Sequence, residues 1–326
     1  MKLPTISIMI PAYNQEKYIS KAIISAIEIE YENIEIVVLD DCSTDKTYFI
    51  AKELQQKYSK LKVFRNEKNI GRNGTYRRLL YELAQGDWVI MLDGDDYFFK
   101  SNFLSKAIEV IKKNNNIVAV LGGYFKDEEG KLFLRLPEEK IMTGIEVFFK
   151  FPDIVYSHGA VLYNRKIAID INSYRLNIMS DDLESHLRLF LKGKVAFINE
   201  PVYVWRIHKF NETVLSGYDK YLDNLKKMID SVFHYGIELM PEKKAEIEKW
   251  RKKVFLKLYV IALSVYAKNE GVPVSKILSE IKEYFNFRYF FLSGLIWAVF
   301  AYVFLPKKIF EVLRDWFRYG RIKNLF

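Results

Sequence analysis

Aspartates recur in this chain where short apolar runs end. Asp40-Asp41 follows residues 34–39, and Asp93-Gly94-Asp95-Asp96 follows residues 88–92. Five carboxylates brought to one edge would repel one another unless a cation stood among them, and hard oxygen donors of this kind suit Mg²⁺ or Mn²⁺. An isolated D-x-D-D can equally be a polar turn ahead of a helix, and Asp40–Asp41 with Ser43-Thr44-Asp45 can be an N-cap cluster. Position decides for ligation: in an open α/β sheet, ligands bind at the carboxyl ends of the strands. The same edge would receive Pro11-Ala12-Tyr13-Asn14 after residues 6–10, and Asn69-Ile70-Gly71-Arg72 after residues 61–65.

Phosphate has no glycine-rich cradle here. Neither G-x-G-x-x-G nor G-x-x-x-x-G-K-S/T occurs, so a diphosphate would be held by a metal and by basic side chains, with Arg72, Arg77 and Arg78 as candidates. Cys42, set among aspartates, reads as a small buried residue, since an acidic neighbourhood disfavours a thiolate. Met179 and Phe148-Phe149 read as core.

The elements that must position these residues follow from periodicity. Residues 6–10, 34–39, 61–65, 88–92 and 118–121 are β-branched runs of the buried kind, and residues 15–29, 46–58, 73–84 and 102–113 have helical spacing. Ser43 or Thr44, and Ser101, are the expected N-caps. Alternation of strand and helix predicts an α/β fold with a mostly parallel sheet flanked by helices. Beyond residue 123 the rhythm changes: an acidic turn at 127–130, a hairpin partner at 132–136, an extended stretch at 154–163, a helix at 181–191, and strands at 195–198 and 202–207. From residue 217 the pattern is helical and Lys-rich.

Taken in order, P-A-Y-N, V-V-L-D-D-C-S-T-D, N-x-G-R and M-L-D-G-D-D resemble the nucleotide-binding half of family 2 inverting glycosyltransferases of the GT-A fold. Ser180-Asp181-Asp182-Leu183 onward is similar to that family's E-D-x-D-L-W-L-R segment, and Trp205-Arg206-Ile207-His208 to its Y-R-x-H element. The likeness covers roughly residues 5–210.

It implies that Pro11, Ala12, Tyr13 and Asn14 line a base pocket, with Tyr13 on the nucleobase and Asp41 accepting from it. Arg72, Asp93 and Gly94 would lie at ribose and diphosphate. Asp95, with Asp96 and His208, would bind Mn²⁺ or Mg²⁺. Asp182 would be the catalytic base, although Asp181 stands where the family has Glu, which leaves open which carboxylate faces the acceptor. His158-Gly159 would approach the donor or acceptor sugar. For both histidines a structural, hydrogen-bonded role is the competing assignment. The implied reaction moves a sugar from a nucleotide sugar, most naturally a UDP-sugar, to a hydroxyl of a glycan or lipid-linked glycan in surface polysaccharide or glycoconjugate assembly.

Rival readings are a sugar nucleotidyltransferase, which would carry a glycine-rich N-terminal loop in place of Pro11–Asn14, and a non-catalytic nucleotide-sugar scaffold, which would not need Asp95, Asp96 and Asp182 together. The net charge of +9 suits any anionic partner. Without a basic recognition helix or stacking motif, nucleic acid is not expected.

Length and pattern divide the chain into a catalytic domain at 1–215, with a nucleotide-binding half at 1–122 and an acceptor-binding half at 123–215, and a helical basic and apolar region at 216–326. Residues 289–305 carry no charge, the lower edge of a membrane span, and the basic aromatic stretch after them suits an anionic membrane surface. The lack of several clear spans argues against a processive synthase that extrudes its polymer. One cysteine permits no intrachain disulfide, and about five apolar residues before Pro11 are too few for a signal-peptide core. The expected location is cytoplasmic, peripheral at the inner face of the cell membrane.

Overall fold

The computed structural model describes residues 3–99, 102–126, 131–133, 136–137, 140–154, 156–208, 211, 217–263 and 270–284. By compactness the chain falls into two units, the first holding residues 1–150, 154–177 and 181–208, the second residues 151–153, 178–180 and 209–326.

In the first unit the order is β1 (Ile6–Ala12), α1 (Ile19–Ile27), β2 (Ile34–Asp40), α2 (Thr47–Lys57), β3 (Leu61–Arg65), α3 (Gly71–Arg78) and β4 (Trp88–Met91). Next come β5 (Tyr97–Phe98), α4 (Phe103–Lys113), β6 (Ile117–Lys126), β7 (Lys131–Phe133), β8 (Ile141–Thr143) and α5 (Gly144–Lys150). The unit closes with β9 (Val161–Asn164), α6 (Arg165–Asp170), α7 (Asp181–Phe190) and β10 (Lys194–Trp205). The described strands form one sheet in the order β3-β2-β1-β4-β9-β6-β10-β5, with β7 on β6 and β8 on β10. β3, β2, β1 and β4 run parallel. β9 enters antiparallel between β4 and β6, so the expected α/β architecture holds with a mixed second half.

All seven residues of both β1 and β2 are buried, as continuous apolar runs require when helices cover both faces of a sheet. Their ends are cross-tied. The Asp41 N–H donates to the Ala12 carbonyl at 2.8 Å, and the Gly94 N–H to the Pro11 carbonyl at 3.1 Å. A Cβ on Gly94 would stand 2.2 Å from Gln15 Oε1 and 3.0 Å from the Pro11 carbonyl, so this close approach of backbones needs glycine.

Several boundaries differ from expectation. α1 starts at Ile19, not residue 15, because Asn14 adopts a left-handed φ of 53° and the N–H groups of residues 14, 15 and 16 donate to the side chains of Ser43, Thr47 and Asp45. Neither Ser43 nor Thr44 caps α2: Lys46 holds the cap position without a side-chain bond, while Ser43 and Thr44 tie to Asn14. α3 starts at Gly71 and passes into a π-helical turn over Leu79–Leu83. The two strands expected at 195–198 and 202–207 are one strand, β10, with register shifts where Phe197 gives way to Pro201 and Tyr203. The stretch 154–163 is not uniformly extended but contains a 3-10 turn at His158–Ala160. β7 pairs antiparallel with β6 and supplies the hairpin partner, one residue earlier than expected at its start. Cys42 is half-buried, not buried, with its Sγ 3.6 Å from the Glu67 carbonyl. Met179 and Phe148 are buried, while Phe149 is only half-buried. The turn at 127–130, Ser101, and residues 289–305 and 307–326 lie outside the described residues.

The second unit is helical: α8 (Tyr218–Leu239), a 3-10 turn at Pro241–Lys243, α9 (Lys244–Ala262) and α10 (Val274–Tyr284). α8 buries Leu222, Leu225, Met228, Ile229, Val232 and Phe233, the three-and-four spacing of one helix face. Arg251 of α9 pairs with Asp230 of α8 at 2.6 Å. No helix among the described residues is long and apolar enough to cross a membrane.

Candidate active site

The carboxyl ends of β1, β2 and β4 deliver the first layer of the site, and the N-terminus of α7 with the end of β10 delivers the second. Asp93, Asp95 and Asp96 each turn an oxygen to within 4.8 Å of the others. Their surroundings differ. Tyr76 Oη donates to Asp93 Oδ1 at 2.5 Å, and His158 Nε2 lies 3.0 Å from Asp93 Oδ2, so both oxygens of Asp93 are held by protein groups. Burial pushes the Asp93 carboxyl up, but His158 and the hydrogen bonds outweigh it and keep it below the usual carboxylate range. Asp95 and Asp96 go the other way. Burial raises both, and the negative charge of Asp93 adds to each.

His208 Nε2 lies 3.0 Å from Asp95 Oδ2, and the ring stacks on Tyr18 with centroids 4.9 Å apart. Asp96 is 3% exposed; the Arg206 N–H donates to its Oδ1 at 2.8 Å, and Arg206 Nη2 reaches its carbonyl at 3.2 Å. The Arg206 guanidinium lies over the rings of Tyr18 and Tyr97 at 5.0 and 4.9 Å. Three convergent carboxylates, two of them driven towards protonation, beside one imidazole form a donor set that a divalent cation would relieve of its repulsion. Carboxylate oxygens with an imidazole suit Mn²⁺ or Mg²⁺.

Asp181 and Asp182, adjacent at the start of α7, have distinct environments. Asp181 is wholly buried, paired with Arg72 at 3.1 Å and bonded to Asn73 Nδ2, and its Oδ1 accepts the Asp182 N–H at 3.0 Å. Burial pushes its carboxyl up to about 8 against the opposing pull of Arg72. Asp182 keeps 24% of its side chain exposed, and its Oδ2 lies 3.7 Å from His158 Nδ1. Burial pulls the His158 imidazolium down, but Asp93 and Asp182 outweigh it and hold it up at about 9. Gly159 lets the backbone after His158 pass against Tyr203, whose ring a Cβ there would meet at 2.8 Å.

Beyond the ends of β1 and β2, Tyr13 is 45% exposed and Asp41 only 3%. The Asp41 carboxylate accepts from Asn66 Nδ2 at 2.7 Å and from the N–H groups of Ile70 and Gly71, both at 2.9 Å, and so pins the loop that starts α3. A carboxylate has about four acceptor sites, and these three bonds leave one of them over. Arg77 is spent on Asn172 and Ser173, and Arg78 on Asn66 and Glu82. Neither reaches the aspartates, unlike Arg72, which stands over Tyr76 with its guanidinium 5.4 Å from the ring. Sequence reasoning missed Tyr76, Tyr18 and Tyr97. Tyr76 lies on α3, Tyr18 at the N-cap of α1 and Tyr97 on β5, and no local pattern marks an aromatic that orients a carboxylate or an arginine.

The family model of glycosyl transferase family 2 matches residues 7–171, half of the chain. The chain belongs to that family. Among similar proteins are an uncharacterized glycosyltransferase of Methanocaldococcus jannaschii, 27% identical over 87% of this chain and 95% of its own length, and one of Haemophilus influenzae, 27% identical over 68% of this chain and 99% of its own. The poly(ribitol-phosphate) beta-N-acetylglucosaminyltransferase TarS of Staphylococcus aureus is 23% identical over 98% of this chain, which spans 53% of TarS. The crystal structure of TarS 1-349 with UDP-GlcNAc superposes with a TM-score of 0.64 at 18% identity, covering 97% of this chain and 92% of that one. The mannosyltransferase PcManGT of Pyrobaculum calidifontis, with GDP-Man and Mn²⁺, gives 0.60 at 16% identity, covering 99% and 87%. These likenesses establish the GT-A arrangement for this family 2 chain.

Proposed function

We propose that this family 2 enzyme is a metal-dependent inverting glycosyltransferase that moves a sugar from a UDP-sugar to a hydroxyl of a glycan or lipid-linked glycan. The observation that carries the reading is one juxtaposition: the half-open carboxylate of Asp182 stands one imidazole away from the aspartate cluster at the end of β4. Tyr13, exposed beside Pro11, Ala12 and Asn14, offers a face for a base. Arg72, Asp93 and Gly94 line the path of ribose and diphosphate, and Asp95, Asp96 and His208 would hold Mn²⁺ or Mg²⁺. When bound, the metal neutralises charge that develops on the departing diphosphate.

Asp182 takes the acceptor proton as the acceptor oxygen bonds to the anomeric carbon, and the bond from that carbon to the diphosphate oxygen breaks. A single displacement of this kind inverts the centre. Asp181, buried and tied to Arg72 and Asn73, shapes the start of α7 and is not the base. UDP is favoured because the TarS structure holds UDP-GlcNAc, while the GDP-Man of PcManGT is the alternative that a screen of nucleotides decides. A place in surface polysaccharide or glycoconjugate assembly, at the inner face of the cell membrane, rests on the basic aromatic sequence after residue 284. Calorimetry with UDP and GDP, each with and without Mn²⁺, followed by release assays on UDP-sugars, tests the reading: metal-dependent UDP binding supports it, and preference for GDP replaces the donor.

A further inference from the structure

His158 has a place in the fold that contact with a sugar does not account for. Its ring bridges two carboxylates from different layers of the site: Nε2 meets Asp93 Oδ2 at 3.0 Å, and Nδ1 faces Asp182 Oδ2 at 3.7 Å. The residue is 9% exposed, and Nδ1 is buried with no hydrogen-bond partner. An orphaned buried donor is costly, roughly 1–3 kcal/mol in general, so its orientation towards Asp182 needs an explanation.

The ring is also locked. It stacks on Tyr76 with centroids 5.9 Å apart and planes 25° from parallel. Tyr76 is itself fixed by its bond to Asp93. Before His158, Ser157 Oγ bonds the Tyr203 hydroxyl; after it, Gly159 leaves room for the Tyr203 ring, which a Cβ there would meet at 2.8 Å. Asp93 and Tyr76 therefore hold the imidazole itself, and Tyr203 meets the residues on either side of it, with one ring nitrogen on Asp93 and the other 3.7 Å from Asp182.

We propose that His158 is a positioning residue whose Nδ1 closes onto Asp182 Oδ2, orienting the base towards the acceptor oxygen and linking it to Asp93. This deepens the transferase reading and rests on it. The 3.7 Å separation is just beyond a hydrogen bond, and catalytic hydrogen bonds often tighten only when substrate is present. The second oxygen of Asp182 would then be the one that meets the acceptor proton.

Amide isosteres separate the two nitrogens. In His158→Gln the amide nitrogen falls near Nε2 and keeps the bond to Asp93, while in His158→Asn it falls near Nδ1 and keeps the group facing Asp182. With full-length protein, Mn²⁺ and UDP-GlcNAc, and water as acceptor, UDP release is followed beside calorimetric UDP binding and thermal melting. The expected result is a split. His158→Gln binds UDP as the wild type does but releases it about a hundredfold more slowly, the scale of a misplaced catalytic group. His158→Asn keeps more of the turnover. Release by His158→Gln within about twofold of wild type, while Asp182→Asn is inactive, overturns the positioning role and leaves the base intact. Wild-type release by Asp182→Asn overturns the base and this proposal together. Crystal structures of the two variants give a readout independent of the donor: Asp182 turned away in His158→Gln but not in His158→Asn is expected, and an unmoved Asp182 in both contradicts it.

Discussion

At the scale of single residues, neighbours of one type do different work because burial and partners differ. Asp181 and Asp182 are identical in chemistry and adjacent in sequence, yet one is sealed against Arg72 and the other keeps a quarter of its side chain open. Asp182→Asn is therefore expected to retain UDP binding and lose turnover by about 10²–10⁴-fold, the usual contribution of a general base; UDP release from the donor at saturating concentration measures it. His186, one turn beyond Asp182 on α7, is a different test of burial. It packs among Tyr156, Tyr163 and Phe190, both ring nitrogens lack a hydrogen-bond partner, and burial pulls its pKa down to about 4. Among charged groups, Asp182 favours its protonation and His158 opposes it. The folded state thus keeps His186 neutral while the unfolded chain binds a proton from about pH 6.5 downward. Stability tied to this residue is full above pH 6.5 and is lost as pH falls towards 4, in all by about 3 kcal/mol. Thermal melts of wild type and His186→Phe across that range should differ in slope, the variant losing less stability on acidification. Parallel slopes would mean that water reaches the imidazole.

At the scale of elements, α7 is held in place by a buried ion pair. Glu184 and Arg188 are 0% and 1% exposed and meet at 2.8 Å, and Arg188 also donates to the carbonyls of Ile171 and Asn172. Breaking such a pair strands the remaining charge, so Arg188→Leu is expected to cost roughly 3–5 kcal/mol, read by denaturant unfolding. A cost under about 1 kcal/mol would show that Arg175, 3.3 Å from Glu184, takes over the pairing.

The strands β1 to β4 were legible in the sequence because each is a short apolar run with acidic or amide residues at its end. The gathering of Asp93, Asp95 and Asp96 was legible for the same reason, since strand ends of a parallel sheet converge; Asp40 and Asp41, expected around the same cation, are instead tied to Arg65 and to Asn66, Ile70 and Gly71. What was not legible depends on contacts distant in sequence. α1 starts late because Ser43, Asp45 and Thr47, about thirty residues away, capture its first N–H groups. The bond of Tyr76 to Asp93 and the clamp of Tyr18 and Tyr97 on Arg206 exist only once α1, α3, β5 and β10 meet the cluster. The different surroundings of Asp181 and Asp182 likewise depend on the placement of Arg72, 109 residues earlier.

At the scale of the whole molecule, the excess of basic residues and the run of aromatics after residue 284 carry the proposed membrane contact. Full-length protein is expected to co-sediment with vesicles containing anionic lipid, to release as salt rises, and to ignore neutral vesicles. Equal binding to both vesicle types would indicate an apolar contact instead, and binding to neither would leave the acceptor to be sought among soluble glycans. Donor binding does not depend on membrane contact. It requires the carboxylates after β4 to gather a divalent cation and, through it, a nucleoside diphosphate. The direct test is titration calorimetry of the full chain with UDP, with and without Mn²⁺, repeated on Asp95→Ala. UDP binding that requires Mn²⁺ and disappears in Asp95→Ala is the predicted result. Binding that is indifferent to the metal, or that survives the substitution unchanged, would contradict it.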